Sequence, residues 1–104
     1  AADKPNILVI FGDDIGMWNV GAYTHGMMGH TPNIDRMAAE GMKFTDFYVA
    51  ASVCSPSRAA LMTGCYPPRV SLAFNHLPRF ETGLHADEIT IAELLRLGGC
   101  GTAM

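Results

Sequence analysis

One stretch near the start, Asn6-Ile7-Leu8-Val9-Ile10-Phe11, constrains the fold more than any other. It is apolar without alternation, carries β-branched side chains, and is bounded by polar Asn6 and by Gly12. A strand with one wet face alternates apolar and polar residues. An unbroken apolar run of this length suits a parallel strand covered on both sides. Such a strand needs helices above and below it, so the run predicts an α/β architecture. It ends in Gly12-Asp13-Asp14-Ile15-Gly16, which sets adjacent carboxylates at the carboxyl end of the strand. That edge is where open α/β sheets bind ligands. Adjacent acids repel, and a hard divalent cation holds such a pair together. A solvated acidic turn is the ordinary alternative for an Asp-Asp pair taken alone.

The second informative stretch runs from Cys54-Ser55-Pro56-Ser57-Arg58 through Ala59-Ala60-Leu61-Met62-Thr63-Gly64. Pro56 suits the first turn of a helix expected over Ser57 to Thr63, and Gly64 suits its end. A thiol therefore stands at the mouth of a short helix, with the fixed cation of Arg58 one turn on. A helix N-terminus exposes unpaired N–H groups and a partial positive charge, so it attracts anions and favours thiolate over thiol. Packing of a small Cys beneath a helix cap is the ordinary alternative. Cys-dependent phosphatases would need Arg at position 60, which is Ala here, and that chemistry is excluded.

These residues also carry a family resemblance. Cys54, Pro56, Ser57, Arg58, Leu61, Thr63 and Gly64 match the signature of the sulfatase family: Cys or Ser, then x-Pro-Ser/Thr-Arg, then x-x-Leu-x-Thr-Gly. The apolar run followed by Asp13-Asp14-Ile15-Gly16 is similar to the family's opening strand. Tyr66 to Arg69 and the segment Asp87 to Leu95 extend the likeness. The resemblance implies that residues 1–104 are the N-terminal portion of a sulfatase catalytic domain, incomplete by themselves. The implied fold is alkaline-phosphatase-like α/β, with a mixed, mainly parallel sheet flanked by helices.

The resemblance also implies the chemistry. Cys54 would be oxidised to formylglycine by a formylglycine-generating enzyme. Asp13, Asp14 and residue 54 would bind Ca2+, with Arg58 catalytic beside residue 54. The substrate would be a sulfate ester, cleaved by a sulfuric ester hydrolase of arylsulfatase type. Hydrated, the aldehyde offers one hydroxyl to attack sulfur and a second that allows exit by elimination, which a Ser ester lacks. In the family a Gly-Lys-Trp-His segment follows the strand that begins near Cys100, and more calcium and sulfate ligands come later. None of these lies within residues 1–104, so the chain alone is expected to be inactive. Two other readings stay open: a phosphomonoester or phosphonate hydrolase on the same fold, and a non-catalytic remnant.

Composition narrows the partners. Hydrophobic residues make up 49% of the 104 and charged residues 16%, too apolar a mix for a disordered segment. A formal charge of −3 with scattered Lys and Arg offers no basic patch, and no nucleic-acid partner is expected. No apolar run approaches the roughly 20 residues of a membrane span. The start at Ala1-Ala2-Asp3, without Met or leader, fits a mature periplasmic or secreted protein or a trimmed chain. Of the three Cys, Cys65 and Cys100 are able to pair if Cys54 is reserved for oxidation, and equally able to stay reduced.

Between the motifs the elements are readable. Met17 to His30 reads as a Gly-rich loop with at most a turn of helix. His25 and His30 are candidate extra ligands there, with ordinary surface residues as the alternative. Thr31 as N-cap and Pro32 at the first helical position start a helix with an Ile34, Met37, Ala38 stripe, ended by Gly41. Met42 to Val49 reads as a second strand. Cys65 to about Glu88 reads as irregular. The resemblance makes Asn75, His76 and Arg79 candidate substrate contacts within it. Thr90 with Glu93 is a capping box for a helix ended by Gly98-Gly99, and Cys100 to Met104 begins a further strand. The short helices cannot cover both faces of a central strand. Apolar surface left exposed forgoes about 25 cal/mol per Å², so the segment alone is expected to be unstable.

Overall fold

The computed structural model describes residues 4–77, 79 and 82–104. The chain forms two compact units, Ala1–Asp46 and Phe47–Met104, each built on its own short helices.

In the first unit a 3-10 turn, Met17–Asn19, leads into α1, Gly21–Thr24, and then α2, Pro32–Glu40. The segment read as a loop thus holds two short helical pieces. His25 closes α1 in the left-handed region at φ 54, donating its N–H to Gly21 O at 2.7 Å. His is among the few non-Gly residues enriched there. Thr31 is the N-cap of α2 as expected, yet its hydroxyl serves another helix. It accepts the Gly21 N–H at 2.8 Å and donates to Asp35 Oδ1 at 2.7 Å. Asp35 Oδ1 accepts the Ala22 N–H at 2.7 Å. The N-cap and one residue of α2 therefore satisfy orphan amides of α1, and the helices lock together.

This contact explains Gly21, which is buried. A Cβ added there would collide with the Asp35 carboxylate, whose Oδ1 would lie 2.9 Å away. Gly21→Ala is expected to destabilise the unit by about 1–3 kcal/mol, the usual cost of overpacking. Chemical denaturation of the variant against wild type measures it, and an unchanged midpoint would refute the lock.

In the second unit α3, Cys54–Thr63, is followed by a 3-10 turn, Pro67–Val70, and by α4, Ile91–Leu97. Val70 and Leu72 pack with Ala59 of α3 into a small core, with Cys65 and Leu84 against it. The stretch read as irregular from Cys65 thus opens with a buried turn; its residues 78, 80 and 81 lie outside the described residues. Thr63 donates its hydroxyl to Ala59 O at 2.8 Å and accepts the Cys65 N–H at 3.2 Å. Gly64 takes the left-handed C-cap at φ 68, as its place in the sequence predicts.

The capping box of α4 forms as read. Thr90 N–H and hydroxyl both donate to Glu93 Oε2 at 2.8 Å, and the Glu93 N–H donates back to Thr90 Oγ1 at 3.4 Å. The bond from the Thr90 backbone, then that from its hydroxyl, and last the Arg96 charge hold the Glu93 carboxyl below its ordinary value of 4.5. A depressed native value means the stabilisation is complete above the unfolded value and is lost as pH falls through the native one. Protection of the Glu93 amide, its exchange taken relative to the intrinsic rate at the same pH, is therefore expected to fall on acidification, and Glu93→Gln to flatten that dependence. A variant with the same acid response as wild type would remove the carboxylate from the explanation.

The predicted strands are not formed. Among the described residues no backbone ladder is present, and the apolar run meant for a covered strand is exposed, Leu8 by 84% and Ile10 by 74%. A strand exists only through hydrogen bonds to a neighbouring strand, and other groups take those roles here. The Phe44 carbonyl, within the expected second strand, accepts the Tyr23 hydroxyl at 2.7 Å. Lys43 donates to Ala22 O at 2.9 Å and sits 5.4 Å from the Tyr23 ring centre. At the expected third strand, the Cys100 N–H bonds back to Leu95 O at 3.0 Å and closes α4 instead. The mixed, mainly parallel sheet is thus not realised among the described residues, and Phe47 and Tyr48 stay exposed. No helix among them is long and apolar enough to cross a membrane.

Candidate active site

Val53 precedes α3 in extended conformation, φ −129 and ψ 157, and Cys54 takes the first helical position. The helix starts at Cys54 rather than at Ser57. A Pro anywhere in the first turn lacks only an N–H that would have no helical partner. Pro56 and Ser57 are buried beneath the turn, and the Ser57 N–H donates to Val53 O at 3.2 Å. That burial seats the first turn firmly and leaves Cys54 half-buried and Arg58 exposed. Residues four apart share a helix face, so Cys54 and Arg58 stand one above the other. Beside them an open hollow of about 340 Å³ is lined by Ser55, Arg58, Met62, Leu72, His76 and Leu84.

Cys54, Cys65 and Cys100 are all thiols, so the disulfide considered for the last two is not made.

Asp13 and Asp14 stand together at a bend in the first unit, both exposed. Asp14 lies in the left-handed region at φ 53, where Asp is better tolerated than most residues. Gly12 has no side chain to meet Ile15, whose Cβ would be 3.1 Å from an added Cβ. The bend thus presents consecutive hard oxygen donors at the surface. That donor chemistry fits calcium, which takes oxygen ligands from flexible loops.

The other candidates are placed as follows. His25 and His30 are both exposed, and a side chain at Gly26 would meet the His30 ring at 3.1 Å. Arg79 is exposed. Asn75 and His76 are drawn into a hydrogen-bond chain with Ser55, across 20 residues of sequence. Sequence reading misses that chain, because no periodicity or local motif links positions so far apart.

Comparison with known proteins places the chain in a family. The sulfatase family model matches residues 5–104, so the chain belongs to the sulfatase family. Membership implies the alkaline-phosphatase-like α/β fold. The chain is 51% identical to arylsulfatase A of Bos taurus over 100 residues, covering 95% of this chain and 20% of that protein. Against arylsulfatase A of Homo sapiens it is 47% identical over 104 residues, 99% of this chain and 20% of the relative. Against human steryl-sulfatase it is 43% identical over 110 residues, all of this chain and 18% of the relative. The chain spans about a fifth of the length of the curated relatives it matches.

Proposed function

We propose that the full-length protein hydrolyses a sulfate monoester, with residue 54 as nucleophile after oxidation of its thiol to formylglycine. The observation that carries this reading is Cys54 on the first turn of α3 with Arg58 one turn on, in a chain of the sulfatase family. Relatives named for aryl and steryl sulfates support an aryl or steryl sulfate as the ester to assay.

Each group has a physical role. The partial positive charge at the N-terminus of α3 attracts the sulfate. Arg58 offers a planar fork of donors to a sulfate oxygen and offsets its charge, which a Lys would do with less directional control. As a hydrated aldehyde, residue 54 supplies one hydroxyl that forms a bond to sulfur as the S–O bond to the alcohol breaks and the alcohol leaves with a proton. Loss of the proton on the second hydroxyl then re-forms the aldehyde and expels sulfate. Asp13 and Asp14 are the proposed calcium ligands. Residue 54 joins them only once it bears oxygen, because a thiol suits softer ions. Calcium held there supplies positive charge that polarises the sulfate oxygens.

An enzyme that oxidises Cys54 is the implied maturation partner, and a periplasmic or secreted setting belongs to the same proposal. The 104 residues alone are proposed to be inactive. The test combines the mass of the peptide spanning residue 54 with turnover of sulfate and phosphate esters assayed side by side. The peptide should lose two hydrogens and exchange sulfur for oxygen. An untouched thiol in a fully active enzyme would sink the reading, and preferential phosphate cleavage would replace it.

A further inference from the structure

Helix α3 is capped from a distance. Its N-cap residue, Val53, has no side-chain oxygen with which to accept a first-turn amide. Asn75 takes that place. Its Oδ1 accepts the Ser55 backbone N–H at 3.1 Å and the Ser55 hydroxyl at 2.9 Å. The Ser55 Oγ in turn accepts the His76 backbone N–H at 3.1 Å. The pin is itself anchored, since His76 Nδ1 lies 2.8 Å from Thr82 O and 3.3 Å from Thr82 Oγ1. All of these residues belong to the unit Phe47–Met104.

We propose that Asn75 is a positioning residue for residue 54, and that its lack of charge suits it to this place. Asn and Asp cap helices about equally well, and at an ordinary helix the carboxylate has the added benefit of meeting the positive end. Beside a site that must take up an anion, that benefit reverses. A carboxylate at position 75 would compete for the same partial positive charge and repel the incoming sulfate. A carboxamide orders the turn through the same oxygen and leaves the field to the ligand. Ser55 completes the device, because its hydroxyl donates to Asn75 while accepting from His76, tying the loop at residues 75 and 76 to the turn that carries residue 54.

The charge half of this inference rests on the proposed function; the cap half does not. Amide hydrogen exchange in the full-length protein reads the cap without reference to turnover. Asn75→Ala is expected to speed exchange at the Ser55 amide by roughly fivefold, the usual worth of a cap. Asn75→Asp should restore protection, since its carboxylate accepts the same bonds. The same Asn75→Asp protein should bind inorganic sulfate, measured by calorimetry at neutral pH, roughly tenfold more weakly. Its affinity should recover as the pH falls and the introduced carboxyl protonates, a response that a purely structural role would not produce. Unchanged Ser55 exchange in Asn75→Ala overturns the cap. Equal sulfate affinity in Asn75→Asp, with protection restored, overturns the charge argument. If Asn75→Ala does not fold, Ser55→Ala removes only the hydroxyl link and should speed exchange at the His76 amide; no change there is equally fatal. A wild-type protein that hydrolyses no sulfate ester sinks the functional reading and leaves the exchange data to decide the cap.

Discussion

Replacing Cys54 by Ala in the full-length protein is expected to abolish sulfate-ester hydrolysis, a fall of about 10⁴-fold or more, as for loss of a nucleophile elsewhere. The fold should tolerate the change. Position 54 opens α3 and is half-buried, and Ala is the best helix former. Removing the thiol leaves the buried Pro56, Ser57 and Ala59 that seat the helix untouched. The expected pattern is thus a dead enzyme with near-native thermal unfolding. An assay with an aryl sulfate, paired with a melting curve, checks both halves. Retained turnover would remove residue 54 from the chemistry altogether. Lost turnover with a collapsed melting temperature would point to packing instead.

The second large effect concerns the acidic bend. Asp13→Asn and Asp14→Asn each keep size and shape while removing a charge. At position 14 the comparison is clean, because Asn tolerates the left-handed backbone at φ 53 as readily as Asp does. Replacing a partner of a metal ligand commonly costs 10–100-fold in metal affinity or activity, and loss of a direct ligand should exceed about that. Activity titrated against added calcium should therefore shift to higher concentration in both variants and recover in part at saturation. A calcium dependence identical to wild type would leave the pair as a solvated turn. Arg58 is not tested by either experiment, and its charge should stay in place throughout.

How far each feature was legible follows from the range of the interactions behind it. Helix ends were readable because caps are local. Thr90 and Glu93 meet across one turn, Gly64 supplies a left-handed residue, and Pro32 follows Thr31. The sequence places the start of α3 at Ser57 and the helix opens at Cys54, because a Pro is accepted anywhere in the first turn and so does not mark the first residue. The strands at residues 6–11 and 42–49 were legible only as hydrophobic patterns. A pattern states what a segment would bury, but the ladder that makes it a strand depends on another segment. The site followed the same rule. Cys54 and Arg58 share a helix face by spacing alone, whereas the Ser55 to Asn75 link joins residues 20 apart and had no local signal.

The amino-acid order by itself determined the helix boundaries set by capping groups, the pairing of Cys54 with Arg58 along one helix, and the doubled carboxylate of Asp13 and Asp14. These depend on geometry within a turn or two, which covalent spacing imposes wherever the chain goes. Tertiary structure alone decided that Thr31 and Asp35 serve α1, that Tyr23 donates to the Phe44 carbonyl and Lys43 to that of Ala22, and that Asn75 caps α3. Each of those contacts closes a loop of chain. Which distant acceptor meets a given amide is settled by the packing of the whole unit, and not by the residues on either side of it.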